Sequence, residues 1–423
     1  MTDDEISGRS PAPWRALLTD IGPLRISPDY RRLWFGTTVS QLGQQMTAVA
    51  LAIQVYAITR SSFAVGVVGI CAFFPLVVFG LYGGAIADAM DRRRLALVAS
   101  SGLWVLSIVL AAQALLDLRQ VWLLYVVAAV QASCFAVNNP ARAAIIPRLI
   151  PAPMLPAANA LSTASFNLGF TVGPLLGGVV IGWQGLGAAY LVDCVTFTAA
   201  LYALWRLPAV PPEGVVRRAG LTSVLEGLTY LRTRPNVLMT FLVDMCAMVL
   251  AQPRALFPAV AGSFYGGGTR TVGLLAASPA IGSLGAVIFS GRLGRVRRQG
   301  LAIMICVVAY GAAVAAFGLT RVIWLGVLML AVSGAADMVS SVYRNTILQV
   351  ATPDALRGRL QGVFIVVVAG GPRLGDFTAG TVASITTETF AIVSGGCACM
   401  AGVALLAAHY RGFARYDAVD PQP

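Results

Sequence analysis

The chain is 423 residues long, 57% hydrophobic and only 11% charged, with a mean hydropathy of +0.78. Soluble domains carry roughly 25% charged residues, so the composition excludes a soluble globular protein and reads as a multi-span membrane protein. The net charge of +12 is no nucleic-acid footprint, because no soluble basic domain gathers the 30 basic residues, all of them arginines.

Residues 1–32 are polar, carry acids at positions 3 to 5 and lack a continuous apolar core, so a cytoplasmic N-terminal segment is expected rather than a cleavable signal. Twelve helices are predicted near 33–58, 63–87, 95–116, 121–146, 157–182, 188–206, 236–259, 270–291, 300–319, 322–346, 360–384 and 390–410. Each approaches or exceeds the ~20 residues that cross a bilayer. Helices follow because backbone polar groups in lipid must be satisfied within the segment, and the alternation of a membrane barrel is absent. Several spans must admit ionisable residues: Asp193, Asp244 with Arg254, Asp337, and Arg373 with Asp376. The connection 207–235 opens with Pro208, Pro211 and Pro212 and then spaces Leu221, Val224, Leu225, Leu228 and Leu231 as an amphipathic helix. Such a helix either lies on the inner membrane surface or packs on the cytoplasmic ends of the bundle. Residues 411–423 form a cytoplasmic tail.

With the N-terminus inside, 22 arginines fall in cytoplasmic segments, four outside (Arg60, Arg119, Arg270, Arg321) and four in spans or at their ends (Arg142, Arg254, Arg344, Arg373). That asymmetry puts both termini in the cytoplasm, in the inner membrane of the cell. All seven cysteines fall in predicted spans and read as small apolar side chains, neither disulfides nor metal ligands.

A shift of 202 residues aligns Gly83 with Gly285, Arg93 with Arg295, Arg119 with Arg321, Trp122 with Trp324, Arg142 with Arg344, Pro151 with Pro353, Gly169 with Gly371 and Gly178 with Gly380. One offset held across four helices implies duplication into two six-helix halves, 33–206 and 236–410, as in one large class of secondary transporters.

The stretch "GGAIADAMDRRRL" (83–95) falls between the second and third spans. It resembles the loop signature of the major facilitator superfamily at Gly84, Asp88, Arg92 and Arg93, and departs from it at Ala89, where that family has arginine. The resemblance implies a conformational latch. Plain positive-inside anchoring explains the arginines but not Asp88 and Asp91. In "NLGFTVGPLLGG" (167–178), Gly169, Gly173, Pro174, Gly177 and Gly178 match the glycine-proline motif associated in that superfamily with proton-exchanging exporters. Small residues four apart also build a flat face for close helix packing, and Pro174 bends the helix. "NNPARAAIIPRLIPAPMLPAANAL" (138–161), "RGRLQGVF" (357–364) and "GGPRLGDFTAG" (370–380) resemble the subgroup of siderophore exporters and macrolide efflux proteins.

Ionisable side chains within a membrane are costly and are functional candidates by default. Asp376 and Arg373 lie three apart on the eleventh helix and can pair, either as a proton carrier beside its counter-charge or as a permanent ion pair. Asp337 has no basic residue within one turn and is a second proton-carrier candidate. Asp244 and Asp193 are expected to be hydrated near the ends of their helices. Gln41, Gln45, Asn138, Asn139 and Asn167 are candidates for the substrate cavity or, equally, for interhelical hydrogen bonds; Phe73, Phe74 and Phe135 suit an amphipathic solute.

The expectation is an all-α, monomeric membrane protein of the major facilitator fold that exports an amphipathic small molecule, a siderophore or a drug, in exchange for protons. An importer or facilitator of a small metabolite is the alternative; a sensor or membrane enzyme is remote. No metal or cofactor is expected, and the chain has no lysine with which to build a nucleotide-binding loop.

Overall fold

The computed structural model describes residues 21–211, 229, 231–288, 296–350 and 354–416, with side chains other than those of 81, 83–85, 87–89, 288, 349 and 354–366. The helix expected around Leu221 to Leu228 therefore lies outside the described residues, as do the side chains of Gly84 and Asp88.

Capping side chains precede several of the helices. After a short turn, α1 (Gly22–Ile26), Ser27 caps α2 (Pro28–Thr59) by accepting the Tyr30 N–H at 3.2 Å. Ser61 caps α3 (Ser62–Ala89) through the Ala64 N–H at 3.4 Å. Asp91 caps α4 (Arg92–Leu115) by accepting from the N–H groups of Arg93 and Arg94 at 2.9 and 3.1 Å, which gives this carboxylate a structural task in the loop. α5 spans Val121–Leu149, and α6 runs for 51 residues from Leu155 to Trp205. Gly185, at φ 83° and ψ 178°, breaks α6 in a conformation open essentially to glycine alone, between the spans expected at 157–182 and 188–206.

The continuous helix expected over 236–259 does not form. α7 (Pro235–Met245) passes into a π-helical turn, Cys246–Leu250, then into non-helical residues 251–253. A 3₁₀ turn, Arg254–Leu256, leads to α8 (Phe257–Ser263). Pro253 has no N–H to donate and its ring clashes with the preceding turn, so the ladder stops there. α9 (Thr269–Ile288), α10 (Gln299–Leu319), α11 (Ile323–Val350), α12 (Asp354–Ile385) and α13 (Glu388–His409) complete the chain.

The protein is an all-helical, multi-pass membrane protein: among the described residues, nine helical stretches are long and apolar enough to cross a bilayer. α2 and α12, each 32 residues, are more polar and extend for roughly 48 Å. α2 packs on α6, α3 and α4 on α5, and α4 on α6; later in the chain α9 packs on α11, and α10 on α11 and α13. The main contacts between these two sets are α3 with α12 and α6 with α9. Both are seams of small residues. A Cβ on Gly178 of α6 would stand 3.0 Å from the Gly273 Cα of α9, and one on Gly380 of α12 would stand 3.2 Å from the Gly66 Cα of α3.

Candidate functional site

The second set of helices buries a group of ionised side chains. α11 carries Asp337 and Arg344 two turns apart on one face, and α7 presents Asp244 in its last turn before the π-helical stretch. One guanidinium nitrogen of Arg344 donates to Asp337 Oδ1 at 3.0 Å, and the other donates to Asp244 Oδ1. Side-chain exposure is 6% for Asp244, 11% for Arg344 and 37% for Asp337, so the cation is clamped between a sealed carboxylate and an accessible one. The three lie on the wall of a cavity of about 170 Å³, with Thr240, Ser341 and Asn345 beside them.

One expectation is corrected here. Asp244 is not hydrated, because α11 covers it and supplies a cation from 100 residues along the chain. Asp337, with no basic residue within one turn, meets Arg344 two turns along its own helix. Sequence reading left Arg344 without a function. The i, i+7 spacing from Asp337 was the one signal that could have found it.

Asp376 and Arg373 are close but not hydrogen-bonded to each other. The Arg373 guanidinium turns back to donate to the Ala369 carbonyl. Asp376 Oδ1 is sealed and without a partner. Arg254, from the 3₁₀ turn of the broken segment, and Arg373 are the charges that face this carboxylate, and the Ala255 N–H approaches it. The break in the α7–α8 segment thus brings a backbone donor and a second cation to Asp376.

In the first set, Asp193 is also corrected. It is 1% exposed and accepts from Ser107 Oγ at 2.7 Å and Thr47 Oγ1 at 2.8 Å, which ties α6 to α4 and α2 in the bundle interior. Gln41 and Gln45 run along the glycine face of α6: a Cβ on Gly169 would meet Gln41 Cγ at 2.5 Å, and one on Gly173 would meet Gln45 Cβ at 2.6 Å. Gly177 lies against Met46, whereas Gly178 and the Pro174 carbonyl reach α9 of the other set. Asn138 is buried and accepts from Ser100 Oγ at 3.4 Å; Asn139 is exposed and Asn167 half-buried. Arg92 donates to the Ala144 carbonyl at 3.3 Å, and Arg93 donates to the carbonyls of Leu204 and Trp205 at 3.1 and 2.5 Å. The Arg93 bonds satisfy carbonyls at the end of α6, where cations are favoured, and the Arg92 bond ties α4 to α5.

The described residues contain no group of three or more His, Cys, Asp or Glu side chains that could hold a metal ion.

Residues 18–422 match the family model described as transmembrane secretion effector, within the major facilitator superfamily. The chain belongs to that family. Similar proteins include the enterobactin exporter EntS of Citrobacter koseri, 27% identical over 379 residues that cover 89% of this chain and 91% of the relative. EntS of Shigella boydii is 28% identical, covering 90% and 91%. Among solved structures, a peptide transporter of the POT group in complex with alafosfalin is 13% identical, with a TM-score of 0.75 over 92% of this chain and 95% of its own. Nucleoside transporter NupG is 15% identical, with a TM-score of 0.68 over 92% and 99%. At those identities the structures show a shared fold, and the secretion effector family makes this chain a membrane transporter.

Proposed function

We propose that the protein is a proton-coupled exporter of an amphipathic small molecule, working by alternating access between halves 33–206 and 236–410. The twelve-span layout counts α6 as two spans divided at Gly185 and the broken α7–α8 segment as one. The arginine asymmetry supports an inner-membrane orientation with both termini cytoplasmic and 207–235 as a cytoplasmic linker. A monomer suffices, since the cavity is built within one chain.

The Asp244–Arg344–Asp337 cluster on the cavity wall carries this reading. Two carboxylates share one cation, which leaves an excess negative charge in the membrane that uptake of one proton cancels. Asp337 is the accessible carboxylate and takes the proton; Arg344 then relaxes onto Asp244 alone. α7 and α11 are thereby held differently in the loaded and empty states, and a difference in binding between states is what drives a conformational change. Asp376, beside Arg373 and Arg254, is the second proton-carrier candidate. Gly169, Gly173 and Gly177 seat α6 closely on α2, while Gly178 and the Pro174 carbonyl form the smooth contact with α9 on which the halves rock. Gly84, Asp88, Arg92 and Arg93 form a cytoplasmic latch in which the two arginines anchor to helix ends and Asp88 supplies the acid. Gln41, Gln45, Asn138, Asn139 and Asn167 contribute neutral polar groups to the substrate path.

The names of the EntS relatives support a siderophore as the first solute to assay, beside a panel of lipophilic drugs. In proteoliposomes with an imposed pH gradient, wild-type protein accumulates solute against its gradient, and Asp337→Asn retains downhill exchange but loses the proton-driven component. Full gradient-driven transport by both Asp337→Asn and Asp376→Asn removes proton coupling through these carboxylates.

A further inference from the structure

The charges around Arg344 do not cancel. Asp244 and Asp337 bring two negative charges to one guanidinium, and among the described residues neither carboxylate pairs with a second cation. Oδ1 of Asp337 accepts from Arg344 at 3.0 Å, whereas Oδ2 takes no hydrogen bond from any described residue. Helix packing alone has no need of this excess charge. Under the 202-residue register, Phe135 stands in the first half at the place of Asp337, and Leu42 at that of Asp244.

A proton can cancel the excess, but a proton needs no room. The carboxylates instead line a cavity of about 170 Å³, into which Phe241, Met248, Leu348 and Val368 also face. Asp337, at 37% exposure, is the member of the cluster that a solute reaches. Apolar walls with one uncompensated carboxylate suit an organic molecule that has an apolar body and a positively charged end.

The place of the cavity along the bundle fits the loading of an exporter. Gly66, Gly178, Gly273 and Gly380, where the two sets touch, all lie within two turns of the start of α3, the break at Gly185, the start of α9 or the end of α12. With the spans counted as above, those four points share one side of the membrane. Leu348, in the last turn of α11, lies toward the other side, where α2 begins and α13 ends. In the orientation that the arginines support, that side is the cytoplasm.

We propose that this cavity binds an amphipathic amine, whose ammonium group donates to Asp337 Oδ2 while its apolar body lies against Phe241, Met248, Leu348 and Val368; this rests on the transport reading for the solute's passage but not for its binding. The cargo is then a lipophilic monocation. Solute and proton cancel the same excess charge, so each excludes the other from the site.

The test is equilibrium dialysis of 2-phenylethylamine, an ammonium ion at neutral pH, and of 2-phenylethanol, its neutral counterpart, against the full chain in phosphatidylcholine nanodiscs. These lipids carry no net charge, and empty nanodiscs correct for partition into them. Wild-type protein binds the amine about tenfold more tightly than the alcohol, as one charge-assisted contact implies, and an equal concentration of sodium does not displace it. Asp337→Asn lowers amine affinity to that of the alcohol, so its downhill exchange persists only at raised solute concentration. Val368→Phe, which fills the cavity without touching its charge, weakens both probes. A measurement on the native chain guards against misfolded variants: the amine, and not the alcohol, slows dicyclohexylcarbodiimide labelling of Asp337, read by peptide mass spectrometry. Equal affinity for the two probes, displacement by sodium, a preference that survives Asp337→Asn, binding unchanged by Val368→Phe, or no protection of Asp337 overturns the proposal. Gradient-driven transport of a neutral or anionic solute without amine binding does so too and leaves the exporter reading standing. Loss of gradient-driven transport in proteoliposomes, with the amine preference intact, overturns the exporter reading instead.

Discussion

Arg344 neutralises two carboxylates at once, so the three members of its cluster are not equivalent under mutation. Arg344→Gln leaves Asp244, 6% exposed, facing Asp337 with no cation between them. Removing one partner from a buried ion pair costs roughly 3 to 5 kcal/mol, because the remaining charge is stranded. Asp337→Asn removes the carboxylate that is 37% exposed, leaves Arg344 on Asp244 and cancels the excess charge. Its cost is about 1 kcal/mol or less, that of a partly hydrated pair. The double variant Asp244→Asn/Arg344→Gln deletes the sealed pair together and leaves only the accessible Asp337, so it recovers roughly 2 kcal/mol relative to the sum of the single changes. SDS-titration unfolding of the full chain in mixed micelles measures this, with the seven native tryptophans as the probe. Equal destabilisation by Asp337→Asn and Arg344→Gln, or a double variant whose loss equals the sum of the singles, refutes a clamp centred on Arg344.

At the seam, Gly178→Leu places a side chain where even a Cβ meets the Thr269 carbonyl at 2.7 Å. The variant should fold, run as wild type on size exclusion and lose solute transport, because the Thr269 hydroxyl bond to the Gly178 carbonyl at 3.1 Å and the stacking of Arg270 on Trp183 can no longer form together. Asp193→Ala leaves the Thr47 hydroxyl without its acceptor in a sealed interior, while Ser107 keeps the Leu103 carbonyl, a loss of about 1 to 3 kcal/mol in the same unfolding titration. Asp193→Asn keeps an acceptor and costs less; if the two variants unfold alike, the hydrogen bonds contribute nothing to stability.

Much of the architecture is legible because the bilayer punishes exposed backbone and charge severely enough to write its demands locally. Helix starts coincide with Ser27, Ser61, Asp91 and Thr387, whose side chains accept from the following turn. Gly185 separates two spans because a single residue at positive φ ends a helical ladder. The α7–α8 segment was less legible: its apolar run is interrupted by Asp244 and Arg254, as other spans are by single charges, and Pro253 marked the place where the helix stops. Asp193 and Asp244 were misread for a common reason. Their depth along a helix is a property of sequence, but whether another helix covers them is not.

The sequence by itself determined an all-helical membrane chain, the placement of its arginines and the glycine face of α6, since each depends on residues within a few turns of one another. The 202-residue register was also there to read, including the correspondence of Arg142 with Arg344. Only the tertiary structure decided that Asp244 meets Arg344 across 100 residues, that Asp376 and Arg373 stand near each other without bonding, and that Asp193 is sealed by hydroxyls from two other helices. The physical reason is that a charge in a membrane is stabilised by whatever group packing brings within about 3 Å, and helix packing, not chain distance, sets those pairs.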